Sequence, residues 1–159
     1  DLAKVTTIEQ SLDAFVTTMR SAGTADWTIV KQARLGSVTS DSGREYSVDI
    51  VNFMTRLMFT DKQYATALGY AESTMALAEY VDNLTMRQDV QLLYGRALIA
   101  FGDYSKAIRQ LIEVTKVKDN AEQRANGELA LGYLEDAYTQ TGRLEEAAKI
   151  AKLRKALGT

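Results

Sequence analysis

"GRALIAFGDYSKAIRQL", Gly95 to Leu111, decides the fold. Gly102-Asp103 stands between two apolar patterns of helical spacing, and Ala107 follows three residues after Tyr104. Glycine supplies the left-handed conformation that ends a helix, and aspartate supplies a side-chain cap for the next one. The stretch therefore predicts helix, tight turn, helix. An alanine directly after the turn marks the place where the second helix crosses the first too closely for a branched side chain.

The same pattern recurs. "DKQYATALGYA" (Asp61 to Ala71), "FGDYSKAIRQL" (Phe101 to Leu111) and "TGRLEEAAKIA" (Thr141 to Ala151) align at a spacing of 40 residues. Ala67, Ala107 and Ala147 coincide in that register, as do Tyr64, Tyr104 and Leu144, then Leu68, Ile108 and Ala148, then Ala71, Leu111 and Ala151. Each segment follows an apolar stripe with helical period: Val48, Val51, Met54, Leu57 and Met58; then Val90, Leu93, Tyr94, Ala97, Leu98 and Phe101; then Leu131, Leu134 and Tyr138. In the first turn Asp61 is expected to cap, as Asp103 does in the second. Tyr64, Tyr94, Tyr104 and Tyr138 fall on core positions, whereas Tyr46, Tyr70, Tyr80 and Tyr133 have no assigned place and suit an interface. "YVDNLTMRQD" after Tyr80 and "KVKDNAEQRAN" after Lys116 read as polar links.

Upstream, Ile8, Leu12, Phe15, Val16 and Met19 form one helical face, Ala22-Gly23-Thr24 a turn, and Trp27, Val30, Ala33 and Leu35 a second face. The polar segment Gly36 to Glu45 reads as a loop. The expectation is an all-α chain of about eight helices in four hairpins: a divergent pair over residues 1–42, then units 43–82, 83–122 and 123–159, forming one domain.

Composition excludes more than it assigns. The 159 residues carry 19 basic and 21 acidic side chains, so no long-range field points to nucleic acid or an anionic membrane. No apolar run reaches the roughly 18–20 residues of a membrane span. There is no His and no Cys, hence no thiolate nucleophile, no Ser-His-Asp triad and no zinc site of the usual N/S kind. No catalytic residue, metal or cofactor is expected. Glu145-Glu146 and Glu135-Asp136 are sequence neighbours that point apart on a helix, and the first pair complements a helix N-terminus. Lys149, Lys152, Arg154 and Lys155 sit in the closing turns of the last helix, which Gly158 ends. Asn83-Leu84-Thr85 matches a glycosylation sequon but reads as a helix start. The chain begins at Asp1, which reads as a processed protein or an excised domain, soluble in cytoplasm or bacterial periplasm alike.

The arrangement resembles the tetratricopeptide repeat family over roughly the last two thirds of the chain, through Tyr94, Gly95, Leu98, Tyr104, Ala107 and Leu111. It departs from the family in lacking its terminal Pro, in Glu135 where a small residue is usual, and in a period of 40 where the family has roughly 34. Longer units of this type resemble the helical repeat domains of bacterial sensor and transcriptional-activator proteins. The resemblance implies an α-solenoid, a right-handed superhelix whose concave face is lined by the first helix of each hairpin and holds a partner's peptide or helix. Carried over by position, that face comprises Asp49, Asn52, Arg56 and Phe59; Asp89, Leu92, Arg96 and Ile99; and Leu129, Gly132, Asp136 and Thr139. Asn52, Arg56, Phe59, Leu92, Arg96, Ile99 and Asp136 are its candidate partner-binding residues.

Arg56 and Arg96 occupy one repeat position and suit a ligand carboxylate, or else pair within the chain with Asp49, Asp89 or Asp136. The function expected is a non-catalytic interaction module. The alternative is a signal-sensing regulatory domain cut from a larger bacterial sensor or regulator. If the stripe Leu144, Ala147, Ala148, Ile150, Ala151 and Leu157 exceeds what the preceding helix covers, the last helix is expected to self-associate.

Overall fold

The computed structural model describes residues 41–159, and within them every regular element is a helix. In chain order these are α1 (Asp41–Thr60), α2 (Tyr64–Ala78), α3 (Leu84–Phe101), α4 (Tyr104–Lys116), α5 (Ala121–Gln140) and α6 (Leu144–Leu157). The hairpin expected over residues 1–42 lies outside the described residues, apart from the two at which α1 begins. The expected loop Gly36 to Glu45 is corrected in its described part, since α1 already runs from Asp41. A first helical turn needs no apolar side chain once the stripe behind it is anchored. Val48, Val51 and Met54 of that stripe are fully buried.

The 40-residue register is written into the backbone. Lys62, Gly102 and Gly142 all have positive φ, at 59°, 96° and 72°. The residue after each donates its backbone N–H to the carbonyl five residues back: Gln63 to Met58 at 2.9 Å, Asp103 to Leu98 at 2.9 Å and Arg143 to Tyr138 at 2.8 Å. This 6→1 bond closes the helix and starts its return. Asp103 caps α4 by accepting from the Lys106 backbone N–H. Asp61 does not cap α2. Gln63 holds that N-cap position without a side-chain cap, and donates through its own amide to Asp61. The polar links are shorter than expected because Asn83 and Asn120 act as N-caps, accepting from Met86 and Gln123, so α3 and α5 start inside them.

Ala67 and Ala107 are completely buried and Ala147 nearly so. Beside Ala107 the approach is closer still: a Cβ on Gly95 would stand 2.7 Å from Cγ and Cδ2 of Leu111. Leu111 thus occupies the space that a side chain at 95 would need, and its burial contributes about 1.5–3 kcal/mol. In the last hairpin the volumes exchange, Glu135 standing at the glycine position and Ala151 at the leucine position. The Glu135 carboxylate accepts from Arg154 of α6 at 2.6 Å. The departure at Glu135 is therefore accommodated by a smaller partner position and an ion pair.

Each helix packs on the next, and α1 also touches α3 as α3 touches α5. One core gathers Val48, Val51, Met54, Tyr70 and Leu77, and the other Tyr94, Leu98, Leu111, Leu134 and Tyr138. Met75 packs against both and joins them. Two aromatic assignments are corrected. Tyr64 and Leu144 open their helices at the hairpin rim and are exposed. Tyr70 is no interface residue: it is 1% exposed, among the largest fully buried side chains, and burial pushes its hydroxyl up to about 12.

Two substitutions test this register in opposite directions. Lys62→Gly is expected to stabilise the fold by about 0.5–1 kcal/mol, because a left-handed lysine costs what glycine does not. Ala107→Leu is expected to destabilise it by about 1–3 kcal/mol through overpacking. Denaturant midpoints measure both, and a Lys62→Gly protein weaker than wild type would contradict the turn assignment.

Candidate functional site

Because α1, α3 and α5 touch in series, side chains on their common side meet across helices. The Arg96 guanidinium lies 4.3 Å from the Phe59 ring centre and 5.9 Å from that of Tyr133. Phe59 in turn meets Tyr64 edge to face, centroids 5.3 Å apart at 64°. The result is a line of four side chains, Tyr64, Phe59, Arg96 and Tyr133, crossing three consecutive first helices. An arginine over aromatic faces gains about 0.5–1 kcal/mol per exposed contact and keeps its planar rim of N–H donors for an acceptor.

Among the described residues the ion pairs join Lys106 to Glu72, Lys116 to Glu113, Arg143 to Glu146 and Arg154 to Glu135. Neither Arg56 nor Arg96 is in one. The two arginines, equivalent in the repeat, also differ in setting. Partial desolvation first, then the neighbouring carboxylates Glu45 and Asp89, push the Asp49 carboxyl above its ordinary range, and Arg56 opposes the shift. Arg56 is thus tied electrostatically to an acidic cluster, whereas Arg96 is held by rings. Asp89 is partly buried and accepts from Asn126 at 2.6 Å. Asp136 is exposed on α5. Leu92 and Ile99 are half-buried against the second core, and Asn52 is half-buried on α1. Phe59 and Arg96 thus meet, with Leu92 and Ile99 one turn to either side of Arg96 on α3, and Tyr133 joins the contact although sequence reading left that tyrosine without a role.

Sequence reading also missed what positions this surface. Gln88 is 2% exposed, and its amide nitrogen lies within 3.0 Å of the carbonyls of Val114, Val117 and Gln123. Its carbonyl oxygen accepts from Asn126, while Gln123 donates to Thr85 and accepts from the Asp119 backbone N–H. One buried glutamine thereby satisfies carbonyls at the end of α4 and the start of α5, and ties α3 to α5 a few turns from the Arg96–Tyr133 contact. Leaving one such buried group unpaired costs about 1–3 kcal/mol. A lone Gln in a polar stretch gives no sign of this in sequence.

At the far end of the array, Glu128, Leu129, Gly132, Tyr133 and Asp136 of α5, with Arg154 of α6, line an open groove of 740 Å³. No described helix is long and apolar enough to cross a membrane.

The Asp49 environment gives a pH test. Its folded carboxyl holds a proton that the unfolded chain, near 3.8, has already released. The contribution of this group to stability is therefore present at low pH and lost as pH rises through the raised folded value. Asp49→Asn is expected to flatten that fall in urea midpoints measured from about pH 4 upward. Curves that stay parallel to wild type would show that the acidic cluster does not strain the fold.

In comparison with known proteins, no family model, curated protein or solved structure matches this chain.

Proposed function

We propose that this chain is a non-catalytic interaction module of the tetratricopeptide-like kind, its hairpins stacked as a solenoid that receives a peptide or helix of another protein along α1, α3 and α5. The stacking is supported by three left-handed turns 40 residues apart and by the serial contacts of the first helices. The observation that carries the binding reading is Arg96, exposed and in no ion pair among the described residues, yet fixed between Phe59 and Tyr133. A guanidinium held in place has already lost the rotamer freedom that binding would otherwise cost. It suits a carboxylate of the partner, with Phe59, Leu92 and Ile99 beside it for an apolar side chain. Asn52, Arg56 and Asp136 extend the surface along α1 and α5. The absence of Cys and His leaves no usual nucleophile–base set, which supports a non-catalytic role.

The test uses acidic peptides selected against the full chain from a random display library. Arg96→Glu is expected to lower the affinity of those peptides by roughly tenfold or more, with a loss of stability of about 1 kcal/mol or less. Arg56→Glu is expected to act more weakly, because the acidic cluster already offsets its charge. Undiminished binding by a well-folded Arg96→Glu protein would remove Arg96 from the site.

A further inference from the structure

The open groove is one repeat displaced from a joint that is filled. At the filled joint, Gln88, Asp89 and Arg96 of α3 meet Asn126 and Tyr133 of α5. Advanced by 40 residues, those α3 positions become Glu128, Leu129 and Asp136, which line the groove. On α4, Ala107, Ile108, Leu111 and Val114 are all buried; their counterparts on α6 are Ala147, Ala148, Ala151 and Arg154, of which Ala147 alone is buried. Nothing described occupies the place that α5 fills one joint earlier. Leu129 is left 55% exposed, and Leu153 and Leu157 of α6 are 46% and 51% exposed.

Charge selects the occupant. The groove carries Glu128 and Asp136 beside Leu129, and its one lining cation among the described residues, Arg154, is already paired with Glu135, which leaves an acidic and apolar surface. The exposed side of α6 carries Lys149, Lys152, Leu153, Ala156 and Leu157 at helical spacing, a basic and apolar stripe. These surfaces match each other, but within one chain the stripe faces solvent and not the groove. A second copy can bring them together.

We infer that this end of the molecule is a dimerisation face, in which α6 of each copy lies in the α5–α6 groove of the other. A two-fold arrangement fills both grooves at once and closes, whereas head-to-tail docking would leave one groove open and grow without limit. The basic stripe meets the acidic rim twice, and Leu153 and Leu157 come to lie against Leu129. The inference rests on the repeat register and the surface of α6, not on Arg96, although Tyr133 and Asp136 border both surfaces.

Sedimentation equilibrium of the full chain over a wide concentration range, alone and with charge-reversed variants, tests it. The wild type is expected to be a monomer–dimer system with no larger species. Glu128→Lys with Asp136→Lys, and separately Lys149→Glu with Lys152→Glu, are each expected to raise the dimer dissociation constant by roughly tenfold or more. Mixing the two variants is expected to restore dimers, because in the mixed pair each groove again faces a stripe of opposite charge. Thermal melts confirm that the variants fold. A chain that stays monomeric overturns the inference and reserves the groove for a helix of other origin. So do open-ended growth, or dimers indifferent to both reversals, the latter placing the contact elsewhere. A wild type that fails to dimerise while still binding its acidic peptides sinks this inference and leaves the peptide-binding reading standing.

Discussion

The space that Leu111 takes from position 95 is the constraint on which the central hairpin depends. With a Cβ position only 2.7 Å from the leucine, α3 admits no side chain where Leu111 of α4 packs against it. That approach is possible because the turn at Gly102 reverses the chain within two residues, through a left-handed backbone and a 6→1 hydrogen bond. Turn and crossing specify one another: a looser turn would let the helices splay, and a larger side chain at 95 or 107 would force them apart. The same turn is met three times with different residues. The Lys62 turn shows that the repeat imposes the conformation even where glycine is missing.

Much of this was legible in the sequence because it depends on residue type at a fixed offset. Gly, Asp and Ala each report a local demand: a left-handed angle, a cap, a close crossing. Their recurrence at one spacing carried the hairpins, the all-helical class and the buried alanines. What was not legible depends on the environment a neighbouring helix creates. Tyr70 and Tyr64 have the same side chain and lie on one helix, yet the first is enclosed by the core and the second sits at the rim. Helical period alone does not separate a residue covered by two neighbours from one covered by one. The helix starting at Asp41 was hidden because a polar first turn has the composition of a loop.

The candidate surface shows the same division. Phe59, Arg96, Leu92 and Ile99 were placed together by repeat position, which states which side of a helix a residue occupies. Repeat position treated Arg56 and Arg96 as equivalent, and the structure separates them by partners it cannot express: an acidic cluster for one and two rings for the other. Tyr133 enters through its offset of 37 from Arg96, three short of the repeat, since the contact runs diagonally from one first helix to the next. A search confined to one register finds equivalent residues and misses contacting ones.

The buried Gln88 cluster then connects stability to the surface. A glutamine amide shared among three carbonyls is a costly way to close a joint, since each partner lost leaves a polar group without water. An apolar residue of similar size would fill the volume but satisfy none of the carbonyls at the end of α4. What the amide adds is direction, because hydrogen bonds fix the rotation of α5 about its own axis in a way that close-packed methyl groups do not. That rotation decides whether Tyr133 faces Arg96. The polar joint thus sets the part of the aromatic line that runs from α3 to α5, and the geometry of that contact depends on a buried residue that forms no part of it.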